Sequence, residues 1–124
     1  NNATLTKLAI KTLSNKQMVK NEYADICKQY KSNERWIMMI NPEESSLEQL
    51  ASCNVIDPSR VLKVNSRDSE IKINNIERAL LKGNCSALIL CDLHLAQSDV
   101  KRLQQVALKG STQCIILNSE NRLH

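Results

Sequence analysis

Ser86-Ala87-Leu88-Ile89-Leu90-Cys91-Asp92 decides the fold. Ala87 to Cys91 are apolar without alternation, so a strand here must be covered on both faces. Such a strand belongs inside a parallel sheet held between helices. Upstream, Ile73, Ile76 and Leu80 recur at helical spacing, with Asp68 or Ser69 as the N-cap and Lys82-Gly83 as the stop. Downstream, Ser98-Asp99 opens a long helix with Val100, Leu103, Val106 and Ala107 inward, ending at Lys109-Gly110. Thr112 to Leu117 follows as another strand.

The N-terminal half continues the alternation. Val19, Tyr23, Ile26 and Tyr30 form one face of a helix over about 17–31. Arg35-Trp36-Ile37-Met38-Met39-Ile40 reads as a buried strand ended by Asn41-Pro42, with Trp36 in the core and Arg35 exposed at its beginning. Ser45 and Glu48 fit a capping box for a short helix through Leu50 and Ala51. Glu43, Glu44 and Glu48 favour that helix's N-terminus through its dipole. Ile56-Asp57-Pro58-Ser59 is a turn, and Val61 to Val64 a strand. In Thr4 to Leu13 the apolar spacing is mixed, and the threonines with Ile10 favour a strand. Five strands alternate with four helices: an α/β fold, one three-layer domain over 1–124 with a mostly parallel sheet. The first residue is Asn1 rather than Met, so trimming at the N-terminus is expected.

Composition excludes several functions. The 124 residues hold two glycines, Gly83 and Gly110, too far apart for a Walker A loop or a dinucleotide fingerprint. Both are read as helix stops. Phe is absent and aromatics are 2%, which removes stacking platforms for single-stranded nucleic acid. The five cysteines include no C-x-x-C pair and several sit in apolar runs, which points to a reducing cytoplasm without disulfides or zinc. No apolar run is long enough to cross a bilayer. The net charge of +4 is uneven: residues 41–57 carry four acids and no base, while the segments around them are basic. That excess permits an acidic partner without demanding nucleic acid.

Few residues carry candidate chemistry. Asp92 ends an apolar strand as a Walker B carboxylate does, but with no phosphate loop it reads as the start of a loop. Cys91, Asp92 and His94 could form a nucleophilic set, but Cys91 should be inside a strand. Arg60, after the Pro58 turn, reads as a solvated charge on an exposed corner. No catalytic set, metal site or cofactor is expected, and a binding or inhibitory module is favoured over an enzyme.

Ser32-Asn33-Glu34-Arg35-Trp36-Ile37-Met38-Met39-Ile40-Asn41-Pro42 resembles the Ser-Arg-Trp, apolar run, Thr-Pro segment of the bacterial SOS cell-division inhibitors, the SulA family. Ser59 to Val64 looks like that family's Thr-Lys-Val segment, and Ile76 to Ser86 like its Arg-Ala-Leu, Gly-Asn-Tyr-Ser segment. The Leu-His ending is similar too, so the resemblance runs from about Glu34 to the end. It implies a RecA-like core without the phosphate loop. It also implies binding to the tubulin-like division GTPase FtsZ, a block on septum assembly, removal by Lon protease, and possible homodimers. No membrane or nucleic-acid partner is implied. A gapless match carries the family's partner-binding positions onto Arg35, Ile40, Leu50 and Arg60, where Leu50 replaces a tryptophan and Arg60 a lysine. Leu50 is expected to be exposed, and Ile40 to be chiefly structural. Leu123 and His124 fall where the family's protease signal lies, in a tail with little to bury. The competing readings are a RecA-like non-ATPase accessory protein of translesion synthesis or recombination, a small cysteine-dependent enzyme, and a nucleic-acid-binding structural module.

Overall fold

The structure is a computed structural model that describes residues 8–65, 73–93 and 95–120. The chain runs β1 (Leu8–Leu13), α1 (Lys16–Gln29), β2 (Trp36–Ile40), α2 (Glu44–Ser52), a 3-10 turn (Pro58–Arg60), β3 (Val61–Val64), α3 (Ile73–Lys82), β4 (Cys85–Cys91), α4 (Gln97–Lys109) and β5 (Gln113–Ser119). The strands form one sheet in the order β1-β5-β4-β2-β3, and every pairing is parallel.

Alternation along β4 builds two cores. Ala87, Ile89 and Cys91 join Val19, Tyr23 and Ile26 of α1 and Leu47 of α2 on one face. Leu88 and Leu90 join Ile76 and Leu80 of α3 and Leu103 and Ala107 of α4 on the other. Each residue of β4 is therefore buried, as its unbroken apolar run requires. The two helix layers are thus α1 with α2 and α3 with α4.

Two helix starts differ from the sequence reading. The N-cap of α2 is Glu43, not Ser45. Its carboxylate accepts from the Ser46 N–H at 3.0 Å and from the hydroxyls of Ser45 and Ser46 at 2.7 and 2.6 Å. The Ser45 N–H donates to it as well, at 3.4 Å, and a charged acceptor holding four donors is a stronger cap than a serine hydroxyl. Helix α4 begins at Gln97 with Ala96 at the N-cap and no side-chain cap bond, so Ser98 lies inside it. The expected cap of α3 at Asp68 or Ser69 lies outside the described residues.

The two glycines end helices for different reasons. Gly83 has a φ of +71°, the left-handed conformation that favours glycine after a helix. Gly110 has an ordinary φ of −86°, but a Cβ there would stand 2.6 Å from the Leu80 carbonyl oxygen. It is required by the close approach of α4's end to α3.

Trp36 is not core. It is 41% exposed, because it lies on the α3 side of the sheet at the very start of β2, beside the point where α3 stops. Its neighbours Ile37 and Met39 point the other way and are buried.

Candidate partner-binding face

The entry ends of β2 and β3 bring two arginines together. Arg35 precedes β2 and is half-buried rather than exposed. Its backbone N–H and its Nε both donate to the Asn33 side-chain oxygen, at 2.9 and 3.2 Å. Its other guanidinium nitrogens donate to the Gly83 carbonyl at 3.3 Å and the Ser111 carbonyl at 2.9 Å. These carbonyls follow the ends of α3 and α4, where backbone acceptors run out of helical partners. A rigid fork with five donors can serve several such acceptors at once. Arg35 thereby ties the start of β2 to both helix ends.

Arg60 closes the 3-10 turn, which Asp57 caps by accepting from the Ser59 N–H at 3.0 Å. One guanidinium nitrogen of Arg60 donates to the Arg35 carbonyl at 3.1 Å. The side chain is half-exposed rather than a free corner charge, and its position is fixed. Both arginines line a cleft of about 670 Å³ between the end of α1 and the loop before the turn. Lys28 and Lys31 add positive charge to it, against Asp25 and Asp57, while Tyr30, Cys27 and Val55 supply apolar surface. Cation excess over an apolar floor suits an acidic, partly apolar protein segment.

Leu50 is half-buried, not exposed, and packs against the α1–α2 core. Its carbonyl accepts from the Val55 N–H at 2.9 Å, anchoring the loop that leads to Pro58 and Arg60. Ile40 is 4% exposed at the opposite end of β2, within the core under α3 and α4. The structure thus joins Arg35 and Arg60 directly, sets Leu50 behind their loop, and keeps Ile40 apart. Leu123 and His124 lie outside the described residues, as does His94. Tyr30 was read only as part of the apolar face of its helix, and Val55 was not singled out; the apolar pair Val55-Ile56 before Asp57-Pro58 was the available signal.

The other candidate residues are occupied. Asp92 accepts from the Ser119 N–H and hydroxyl at 2.6 and 2.7 Å, pinning the end of β4 to the end of β5. The Cys91 thiol is 3.5 Å from the Tyr23 hydroxyl, and burial pushes it up to about 11. Burial likewise raises Cys27 to about 11 and Cys114 to about 12. Such thiols are protonated at neutral pH and poor nucleophiles. Among the described residues, no group of three or more His, Cys, Asp or Glu could hold a metal ion, and no helix is long and apolar enough to cross a membrane.

The sequence profile of the family described as "Cell division inhibitor SulA" matches residues 10–114. The chain belongs to the SulA family. The crystal structure of SulA from Pseudomonas aeruginosa superposes with a TM-score of 0.71 at 20% identity, over 91% of this chain and 98% of that one. At that identity the likeness concerns the fold. An uncharacterized protein of Methanocaldococcus jannaschii is 30% identical over 83 residues, 64% of this chain and 44% of that protein. The chain therefore spans less than half the length of this archaeal relative. Within the SulA-matched region lie Arg35, Ile40, Leu50 and Arg60.

Proposed function

We propose that this chain inhibits cell division by binding the tubulin-like division GTPase FtsZ and blocking its polymerisation, as part of the SOS response in the cytoplasm. The observation that carries the reading is the SulA profile match over residues 10–114. The chemistry of the Arg35–Arg60 face supports it. Arg60 uses one donor on the Arg35 carbonyl, and the guanidinium keeps further donors for a carboxylate on the partner. The bonds of Arg35 hold that carbonyl, and so Arg60, in place. Leu50 fixes the loop from behind.

The reading makes the protein an inhibitor by occupation, not an enzyme, with no cofactor. The buried, protonated Cys91 thiol and the engaged Asp92 carboxylate support that view. A homodimer is compatible with it, and Lon is the proposed protease, with Leu123 and His124 as its recognition residues.

The test is GTP turnover by the purified division GTPase with increasing amounts of this protein. Turnover should fall and level off near equal stoichiometry, because unpolymerised subunits lack the neighbour that completes their active site. Unchanged polymerisation, or GTP hydrolysis by this chain itself, would refute the reading. Capture of a recombinase or polymerase instead would favour the accessory-protein alternative.

A further inference from the structure

The opposite face of the β2–β3 edge carries a second surface. On that side α3 packs over β4, and α4 over β5 and β1, so two helices cover three of the five strands. What remains is an apolar strip. Trp36 is 41% exposed, Leu62 38% and Val64 39%, with half-buried Met38 between them. Met38 and Leu62 are register partners on adjacent strands, so the strip is continuous across the pairing. Facing it, α3 presents Arg78 and Lys82 one turn apart, both exposed and, among the described residues, in no ion pair. Together they enclose an open groove of about 690 Å³, whose one acidic side chain is Glu34.

An exposed tryptophan in an apolar strip beside unpaired cations is unusual for a surface with no use. Charged and apolar groups scattered singly need no explanation, whereas a contiguous apolar strip marks an interaction site. Trp and Arg are also the side chains most often found to dominate protein interfaces. The charge sets the occupant's sign, and the strip sets its need for an apolar anchor.

We propose that the groove between α3 and the β2–β3 edge docks an acidic segment of a partner protein, with an apolar side chain of that segment against Trp36, Met38 and Leu62 and its carboxylates on Arg78 and Lys82. Arg35 borders both this groove and the Arg35–Arg60 cleft, but Trp36, Met38, Leu62, Arg78 and Lys82 line this groove and not the cleft, and the proposal stands whether or not the division GTPase is the partner.

Trp36 is the protein's sole tryptophan, so its fluorescence reports from inside the groove. The probes are three capped twelve-residue peptides: alternating Glu and Leu, alternating Lys and Leu, and alternating Glu and Ser. The Glu/Leu peptide should shift the emission to the blue and saturate, with binding weakened by added salt. The Lys/Leu and Glu/Ser peptides should not. Arg78→Glu with Lys82→Glu should weaken the Glu/Leu peptide by roughly tenfold or more, and Leu62→Ser should weaken it too. The Arg78→Glu, Lys82→Glu protein should melt like the parent, since both side chains are exposed. An unchanged emission with all three peptides would overturn the proposal. So would an equal response to the lysine or serine peptide, to a short single-stranded oligonucleotide, or by the charge-reversed protein. A blue shift that appears on concentrating the protein alone would assign the groove to a second copy and overturn it as well.

Discussion

Arg35 and Arg60 differ in what their guanidinium groups already hold. Arg35 serves two backbone carbonyls and the Asn33 side chain, whereas Arg60 serves one carbonyl. Arg35→Ala should therefore lower stability by about 1–3 kcal/mol and weaken inhibition partly through disorder of the β2 entry. Arg60→Glu should abolish inhibition for a stability loss of about 1 kcal/mol. Melting curves run beside the GTP-turnover assay separate the two; full inhibition by the Arg60→Glu protein would remove Arg60 from the site. Leu50 packs on the core from a half-buried position. Leu50→Ala should cost about 2 kcal/mol in a denaturant titration, with any loss of inhibition following from the loosened Val55 loop. The arginine before the tryptophan was legible as a charge in the sequence. Its hold on Gly83 and Ser111 was not, because both carbonyls arrive from distant helix ends.

At the scale of elements, the Glu43 cap gives α2 a pH dependence. Partial burial alone would raise the carboxyl, but the hydrogen bonds from Ser46 and Ser45 outweigh it and hold the pKa near about 2, against an ordinary 4.5. A depressed carboxylate contributes its stability above the unfolded value and loses it as pH falls through the folded one. Stability should thus decline between pH 4.5 and about 2, and Glu43→Gln should flatten that part of the acid profile at a cost of about 1 kcal/mol at neutral pH. An acid limb unchanged in the variant would show that other groups set it. The helix ends supply a second comparison. Gly110→Ala must push against the Leu80 backbone and should cost about 2–3 kcal/mol, measured by thermal melting. Gly83→Ala meets open space and only the strain of its positive φ, and should cost about 1 kcal/mol. Equal losses would mean that α3 and α4 move apart freely. The sequence marked both glycines as stops, but only the approach of two helices separated in the chain distinguishes them.

For the molecule as a whole, the proposed turnover by Lon is tested by lifetime in Lon-containing cells. Replacing Leu123 and His124 by Ser should lengthen the half-life and leave inhibition intact; equal half-lives would show that these residues are not the signal. The fold was legible because its determinants are local. The apolar run Ala87–Cys91 requires cover on both faces, the 3- and 4-residue spacings in α1, α3 and α4 each define one buried side, and short β-branched or apolar runs between them become strands. These features determined a parallel α/β sandwich, and the missing glycine spacing determined that it has no phosphate loop of the usual kinds. The sheet order β1-β5-β4-β2-β3, by contrast, was decided only by tertiary packing. That order leaves β3 and the entry of β2 at the margin of the cover that α3 and α4 give, which is why Trp36 is exposed although it begins an apolar run. It also sets the entries of β2 and β3 side by side, where Arg60 reaches the Arg35 carbonyl across 25 positions of chain. Local periodicity says which face of an element is apolar; which neighbour covers that face depends on contacts between residues far apart in the sequence.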